Sequence, residues 1–109
     1  MRDAPASEEA MPKFLVSYDL RSTDPDPHGE FLDQVESAGW TVWKLAPNGL
    51  YYHLPNTTLT GVFRDIDTAR SAFQSAWGKT KSKGYKVIVE KWIIVEYNAA
   101  TYNSDDRED

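Results

Sequence analysis

The spacing of apolar residues constrains the fold of this chain most, because it changes between the period of a strand and the period of a helix. In PKFLVSYDL, residues 12–20, every second residue is a large apolar one on a common face: Phe14, Val16, Tyr18 and Leu20. This alternation is typical of a strand with one buried face. In residues 65–84 the apolar residues recur at helical spacing: Ala69, Ala72, Phe73, Ala76 and Trp77. This segment predicts an amphipathic helix capped by Asp65 or Asp67.

Another helix is predicted closer to the start of the chain. The prolines of RSTDPDP, residues 21–27, break the first strand, and helical spacing of apolar residues then runs from Pro27 to about Ala38. Gly39 follows where a helix stop is expected. The next segment, WTVWKL at residues 40–45, alternates again and predicts a strand that ends before the turn signal PNG.

The segment after this turn is harder to assign, because Pro55 cannot donate to a ladder and Gly61 weakens a strand interior. We expect a strand over about residues 58–64, preceded by an irregular or edge segment at residues 50–54. A separate short hairpin across PNG is the alternative. The segment YKVIVEKWIIVEY, residues 85–97, predicts a last strand that is long, and therefore bent or projecting past the sheet.

The predicted order of elements is strand, helix, strand, strand, helix, strand. This is the order of the ferredoxin-like split βαβ arrangement. We therefore expect an α+β fold, a ferredoxin-like βαββαβ sandwich. Its four-stranded antiparallel sheet carries two helices on one face and leaves the other face open.

Charge divides the chain into a neutral middle and two acidic ends. The net charge is −5, from 12 Lys and Arg against 17 Asp and Glu, whereas residues 12–97 hold 10 of each sign. We predict a disordered tail at residues 1–11, one ferredoxin-like domain at residues 12–97 and a disordered acidic tail at residues 98–109. The chain has no cysteine, which excludes disulfides and thiolate sites. With neither a signal peptide nor a membrane-spanning segment in the pattern, we expect a soluble cytoplasmic protein without membrane contacts.

Asp19 is the first candidate site residue, because it lies at the carboxyl end of the first strand and on the face expected to be open. Loops at that edge of a sheet often carry chemistry. A carboxylate there could hold hydrated Mg²⁺ and, together with its copy in a second subunit, orient a phosphodiester. The alternative is that Asp19 accepts backbone hydrogen bonds in the turn.

The run VSYDL at the end of this strand resembles the group of small ferredoxin-like proteins that includes the CRISPR adaptation subunit of this fold, the VapD-type toxins and the GhoS antitoxin ribonuclease. The segment from PNG through YHLP is similar to the family around GhoS. The resemblance implies RNA cleavage, with Asp19 at the position of the metal-binding aspartate. The sequence departs from the pattern in its acidic tails and in having only Arg21 and Ser22 where an arginine and serine constellation would be expected.

His53 and His28 are the histidines available for RNA cleavage without a metal, in which a base removes the 2′-hydroxyl proton. His53 is the candidate catalytic residue, because Tyr51 and Tyr52 beside it could stack on bases. A packed or exposed histidine without a catalytic role is the alternative. We expect His28 to be an early helix residue that faces water.

Basic residues concentrate after the long helix, with Lys91 further on: Lys79, Lys81, Lys83 and Lys86. Trp77, Tyr85 and Trp92 lie among them, and Arg21 adds a further cation. Basic groups interleaved with aromatic rings are typical of a sequence-tolerant nucleic-acid surface. A solvated helix end, whose lysines complement the helix dipole, is the alternative.

Two function classes stay open. The first is a small dimeric nucleic-acid-associated protein, with a metal-dependent endoribonuclease of the toxin-antitoxin or CRISPR-related type as the candidate activity. The second is a non-catalytic module that binds or regulates a protein partner through the open face and the last strand. In both classes the apolar edge segment KWIIVEY favours a homodimer that would cover it. Trp92 in this segment lies on a half-polar face, and that face is a candidate for the open face of the sheet.

Overall fold

Seven strands and two helices make up the part of the chain that the computed structural model describes, residues 11–109. The strands are β1 (Lys13–Leu20), β2 (Trp40–Thr41), β3 (Trp43–Leu45), β4 (Tyr51–His53), β5 (Thr58–Val62), β6 (Val89–Tyr97) and β7 (Arg107–Glu108). The helices are α1 (His28–Ser37) and α2 (Ile66–Ser82). Apart from Met11, the tail predicted at residues 1–11 lies outside the described residues.

The strands form two antiparallel sheets. The larger sheet has the order β2-β5-β1-β6, and the smaller one has the order β3-β4-β7. The prediction of a ferredoxin-like βαββαβ sandwich with one four-stranded sheet is therefore wrong. The segment WTVWKL, expected as a single strand, divides at Val42, because Val42 turns into the core and its carbonyl accepts from Leu54 N at 2.7 Å.

The smaller sheet begins as a hairpin across the PNG turn. β3 and β4 pair from Trp43 with His53 to Leu45 with Tyr51. Gly49 adopts φ +87°, a conformation that glycine reaches without strain, and Asn48 Oδ1 accepts from Leu50 N at 3.0 Å. The irregular or edge segment expected at residues 50–54 is thus a paired strand over its central part, and the alternative hairpin is the one that forms.

The carboxyl-terminal residues complete the smaller sheet. Tyr51 and Tyr52 of β4 pair with β7, and His53 N donates to Asp106 O at 2.9 Å. The Arg107 guanidinium lies 4.6 Å from the centre of the Tyr52 ring, and Tyr102 Oη donates to Leu45 O at 3.2 Å. The prediction of a disordered tail at residues 98–109 differs from this structure. Aromatic and cation contacts dock the segment on the hairpin in spite of its acidity.

The two helices cover one face of the larger sheet, and the main core lies between them. Its fully buried side chains come from both helices and from β1, β2 and β5, and include Phe14, Val16, Phe31, Val35, Trp40, Leu59 and Phe73. Tyr18, Phe31 and Phe73 pack with ring centres 5.3 to 5.7 Å apart. α2 begins as predicted after Asp65, whose carboxylate accepts from Thr68 N at 2.8 Å.

One end of the larger sheet gathers several loops, and we call it the β1-exit end. It is the end at which β1 finishes and β5 and β6 begin, because Ser17 opposes Thr58 and Leu20 opposes Val89. α1 starts from this end and α2 finishes at it, since each helix connects to a strand there. The loops 21–27, 54–57 and 83–88 therefore meet at the β1-exit end.

Candidate nucleic-acid interface and histidine cleft

A cleft of about 370 Å³ opens at the β1-exit end, between β1, α1 and the chain that enters β5. We call it the histidine cleft, because both histidines of the chain line it. Its lining residues are Tyr18, His28, Leu32, Val42, His53, Pro55, Asn56 and Thr57. The structure thus brings together two residues that lie 25 positions apart and belong to different elements.

His28 is the first residue of α1 and is held by Asp26. Its Nδ1 lies 2.6 Å from Asp26 Oδ1, and its backbone N–H donates to the same oxygen at 3.2 Å. These hydrogen bonds lower the pKa of Asp26, so that its carboxylate is ionised at neutral pH and accepts from Nδ1. The Nε2 atom of His28 is left as the ring nitrogen for contacts with a ligand.

His53 is the last residue of β4, and its ring is fixed on two sides. Nδ1 lies 2.7 Å from Leu54 O, and the ring meets Trp43 edge to face at 4.9 Å between centres. A carbonyl oxygen only accepts hydrogen bonds, so Nδ1 of His53 carries the proton. The neutral ring therefore has its lone pair on Nε2, where it can act as a base.

Tyr18 and Thr57 close the side of the cleft formed by β1. The Tyr18 backbone N–H donates to Thr57 O at 3.1 Å. Burial raises the pKa of Tyr18 to about 12, so its hydroxyl stays neutral over the physiological pH range. Thr57 has φ 57°, in the left-handed region that a β-branched residue rarely adopts. Unfavourable backbone conformations of this kind concentrate at functional sites.

Asp19 does not line the histidine cleft. It lies exposed on the open face of the larger sheet, and the pairing of β1 with β6 places Lys91 directly opposite it. Mg²⁺ prefers several oxygen ligands, and a lone carboxylate facing a lysine does not fit a magnesium site within one chain. No cluster of three His, Cys, Asp or Glu side chains suited to a metal occurs within residues 11–109. A role for Asp19 as metal ligand stays a prediction.

The lysines of the basic concentration are all exposed near the β1-exit end. Lys79 and Lys81 lie in the last turn of α2, and Lys83 and Lys86 follow before β6. The loop that carries Lys86 contacts the loop that leads to Asp26, because Thr23 Oγ1 donates to Lys86 O at 3.1 Å. Basic side chains and the histidine cleft therefore share one end of the molecule.

The remaining candidate residues have partners within the chain. Arg21 forms an ion pair with Glu90. Tyr52 lies under Arg107 and accepts a hydrogen bond from Asn48 at 3.0 Å, whereas Tyr51 is 41% exposed. Trp92 packs against Phe73 at 5.7 Å between ring centres and opposes Tyr18, so it lies on the helix side of the sheet. The interpretation of its face as the open one is wrong.

The position of His28 in the cleft was not predicted from the sequence. We expected a helix residue facing water, whereas its side chain is only 36% exposed and lines the histidine cleft. The local signal for its role is the aspartate two residues earlier, at the point where the helix starts. Its proximity to His53 depends on the hairpin of the smaller sheet, which no local pattern encodes.

Comparison of the chain with protein-family models, curated proteins and solved structures gives no match. The resemblance to the CRISPR, VapD and GhoS group accordingly stays a prediction. Within residues 11–109 no helix is both long and apolar enough to cross a membrane.

Proposed function

We propose that this protein cleaves single-stranded RNA by general acid-base catalysis, with His53 as the base and His28 as the acid. The observation that supports the proposal is the histidine cleft. In each of its two rings Nδ1 makes the hydrogen bond to the protein and Nε2 takes no part in that hydrogen bond. Two such imidazoles beside one cavity are what a concerted transfer of two protons requires.

The reaction transfers one proton to the protein and returns another. Nε2 of neutral His53 removes the proton of a ribose 2′-hydroxyl, whose oxygen attacks the adjacent phosphorus. The bond from phosphorus to the 5′-oxygen of the next nucleotide breaks, and Nε2–H of protonated His28 donates its proton to that oxygen. The products are a 2′,3′-cyclic phosphate and a free 5′-hydroxyl, so atoms and charges balance without a further reactant.

The assignment of the two roles follows from the partners of the two rings. Asp26 is an anion that lies 2.6 Å from Nδ1 of His28, so it can pair with the imidazolium ion when Nε2 carries the proton that the acid donates. Leu54 offers His53 a neutral carbonyl, which orients the ring and leaves its Nε2 lone pair available. Tyr18 supplies a neutral hydroxyl group at the wall of the cleft.

Substrate binding is assigned to the basic side chains of the β1-exit end. Lys83 and Lys86 are exposed in the loop 83–88, whose Lys86 O accepts from Thr23 in the loop that leads to Asp26. Lysines there would contact phosphates on either side of the cleaved bond, and such contacts carry no sequence preference. A single strand is favoured because a base must leave its stack to bring the 2′-hydroxyl into the cleft.

The test is incubation of the full chain with labelled single-stranded RNA in the presence of a chelator. We expect cleavage in chelator, and a loss of about a hundredfold or more in kcat for His28→Ala and for His53→Ala. The control is Asp19→Ala, which removes an exposed carboxylate outside the cleft and should retain full activity. Added imidazole should restore part of the activity of each histidine variant, which a purely structural defect would not allow.

The same experiment separates this proposal from the magnesium route. Cleavage that disappears in chelator and in Asp19→Ala, but survives both histidine variants, would overturn it in favour of a metal ion at Asp19. Absence of cleavage by a folded protein would favour the second function class, a protein-binding module.

A further inference from the structure

β6 is an edge strand of the larger sheet with an apolar exposed face. Among residues 11–109 it pairs only with β1, so its other edge has no backbone partner in that part of the chain. On the open face, Ile93 is 60% exposed and Val95 is 40% exposed. An exposed apolar strand of this length pairs with another strand unless something covers it.

We propose that a second copy of the chain covers this edge, with the two β6 strands antiparallel and the two larger sheets joined into one. This proposal is independent of the proposed RNA cleavage. A two-fold axis perpendicular to the sheet produces the arrangement and keeps both open faces on the same side. Such an axis makes one residue of β6 oppose its own copy, and the choice of that residue fixes the register.

Charge and apolar complementarity select Ile94 as the residue on the axis. With the axis there, Ile93 opposes Val95 of the second copy, which joins the two most exposed apolar side chains of β6. Lys91 then opposes Tyr97 of the second copy, a cation beside an aromatic ring. Pairs of this kind are the main source of side-chain stabilisation between antiparallel strands.

The neighbouring registers are less complementary. An axis at Ile93 would oppose Glu90 with Glu96 of the second copy, and like charges directly opposite each other destabilise a sheet. An axis at Val95 would shorten the ladder, because Lys91 would face Ala99, which lies beyond the end of β6. An axis at Trp92 would place the charged Lys91 opposite the apolar Ile93 of the second copy, so neither side chain would have a matching partner.

The oligomeric state of the full chain is the first test. One chain has a mass of 12.4 kDa, and we expect sedimentation equilibrium to give twice that mass at high protein concentration. Ile93→Lys should reduce the molecule to a monomer, because it places two ammonium groups into the apolar pairing. The matched control is Ile66→Lys at the start of α2, where the side chain is 49% exposed and far along the chain from β6. A monomer at all concentrations, or dissociation by both variants alike, would overturn the proposal.

Cysteine cross-linking tests the register, and the chain suits it because it has no native cysteine. In the double variant Ile93→Cys, Val95→Cys, directly opposed cysteines should form covalent dimers under mild oxidation. Each single variant should not, because the two copies of residue 93, or of residue 95, would lie diagonally, about 8 Å apart. Efficient cross-linking of either single variant would contradict the Ile94 axis.

The proposed dimer also bears on the magnesium prediction. Two Asp19 carboxylates related by the axis at Ile94 would be separated by three inter-strand spacings across the sheet and by about six residues along the strands, roughly 25 Å in total. They could not share a metal ion at that distance. A dimer with this register therefore excludes the two-subunit magnesium site that the sequence suggested.

Discussion

Gly61 is the position in β5 at which a side chain has least room. A Cβ atom there would lie 2.6 Å from Cε2 of Phe63 and 3.0 Å from the Gly39 carbonyl oxygen. Phe63 cannot withdraw easily, because it is buried and packs on Trp40 at 4.8 Å between ring centres. We expect Gly61→Ala to lower the free energy of unfolding by about 1–3 kcal/mol in urea denaturation, as overpacked cores do.

The matched control is Gly78→Ala in α2, where an added Cβ meets no atom within 4 Å. Alanine is the better helix former, so this variant should be up to about 1 kcal/mol more stable than the wild type. Equal stability of the two variants would show that the contact with Phe63 does not restrict β5.

Asp26 is a positioning residue in the proposed mechanism, because it acts through His28. Asp26→Asn keeps a hydrogen-bond acceptor for Nδ1 but removes the carboxylate that pairs with the ring. We expect kcat for RNA cleavage to fall by about tenfold to a hundredfold while KM changes little, because the ring is less well held for proton transfer but substrate contacts are kept.

Asp24→Asn is the control for this variant, because Asp24 is exposed in the same loop and the substitution removes the same single negative charge. It should leave both kcat and KM unchanged. A kcat that is identical in wild type and Asp26→Asn would show that Asp26 does not position His28 for catalysis.

At the scale of elements, local patterns predicted the long regular segments and missed the short ones. Both helices lie where apolar spacing indicated, α2 begins at the predicted cap Asp65, and β1 matches the period of two. β3, β4 and β7 are two or three residues long, too short to show a period. They exist because Val42 turns into the core and residues 102–108 dock on the hairpin, both of which are contacts between distant parts of the chain.

The cap of α2 gives a prediction with a defined pH dependence. Hydrogen bonds from Thr68 lower the pKa of Asp65 below its ordinary 3.8. The ionised carboxylate therefore stabilises the fold above that pH, and the stabilisation is lost as the pH falls through the lowered pKa. Asp65→Ala should have a lower Tm than the wild type at neutral pH, and the difference should shrink in acid.

Asp67→Ala is the control for the cap, since Asp67 lies in the same first turn and forms an ion pair with Arg70 instead. It should lower Tm less than Asp65→Ala does at neutral pH. A difference between Asp65→Ala and wild type that stays constant down to strongly acidic pH would mean that the charge of Asp65 does not contribute.

At the scale of the whole molecule, the β1-exit end should carry the electrostatic part of RNA binding. The double variant Lys83→Ala, Lys86→Ala removes two exposed cations from the β1-exit end. The slope of log K against log salt concentration should become shallower by about 1.4 for single-stranded RNA, because each phosphate contact contributes about 0.7.

The control for this variant is Arg64→Ala, Arg70→Ala, which removes two exposed cations at the opposite end of α2. It should leave the salt slope close to that of the wild type. Equal effects of the two double variants would indicate that RNA responds to net charge rather than to the β1-exit end.

The candidate site was predictable only in part. His53 and the lysines stand out in the sequence by residue type, and the basic concentration follows a recognisable helix. The pairing of His53 with His28 was not predictable, because it depends on a hairpin that folds back towards the start of α1. Asp19 was a predicted metal ligand because of its place at the end of β1, yet the register of β6 places Lys91 opposite it.

The most direct measurement uses a DNA oligonucleotide that carries a single ribonucleotide, incubated with the full chain in chelator. Acid-base catalysis by the two histidines predicts one cut, immediately after the ribonucleotide, with a 2′,3′-cyclic phosphate on one product and a 5′-hydroxyl on the other, and no cut in the all-deoxy control. Products with a 5′-phosphate, or cleavage of the all-deoxy control, would contradict acid-base catalysis by His28 and His53.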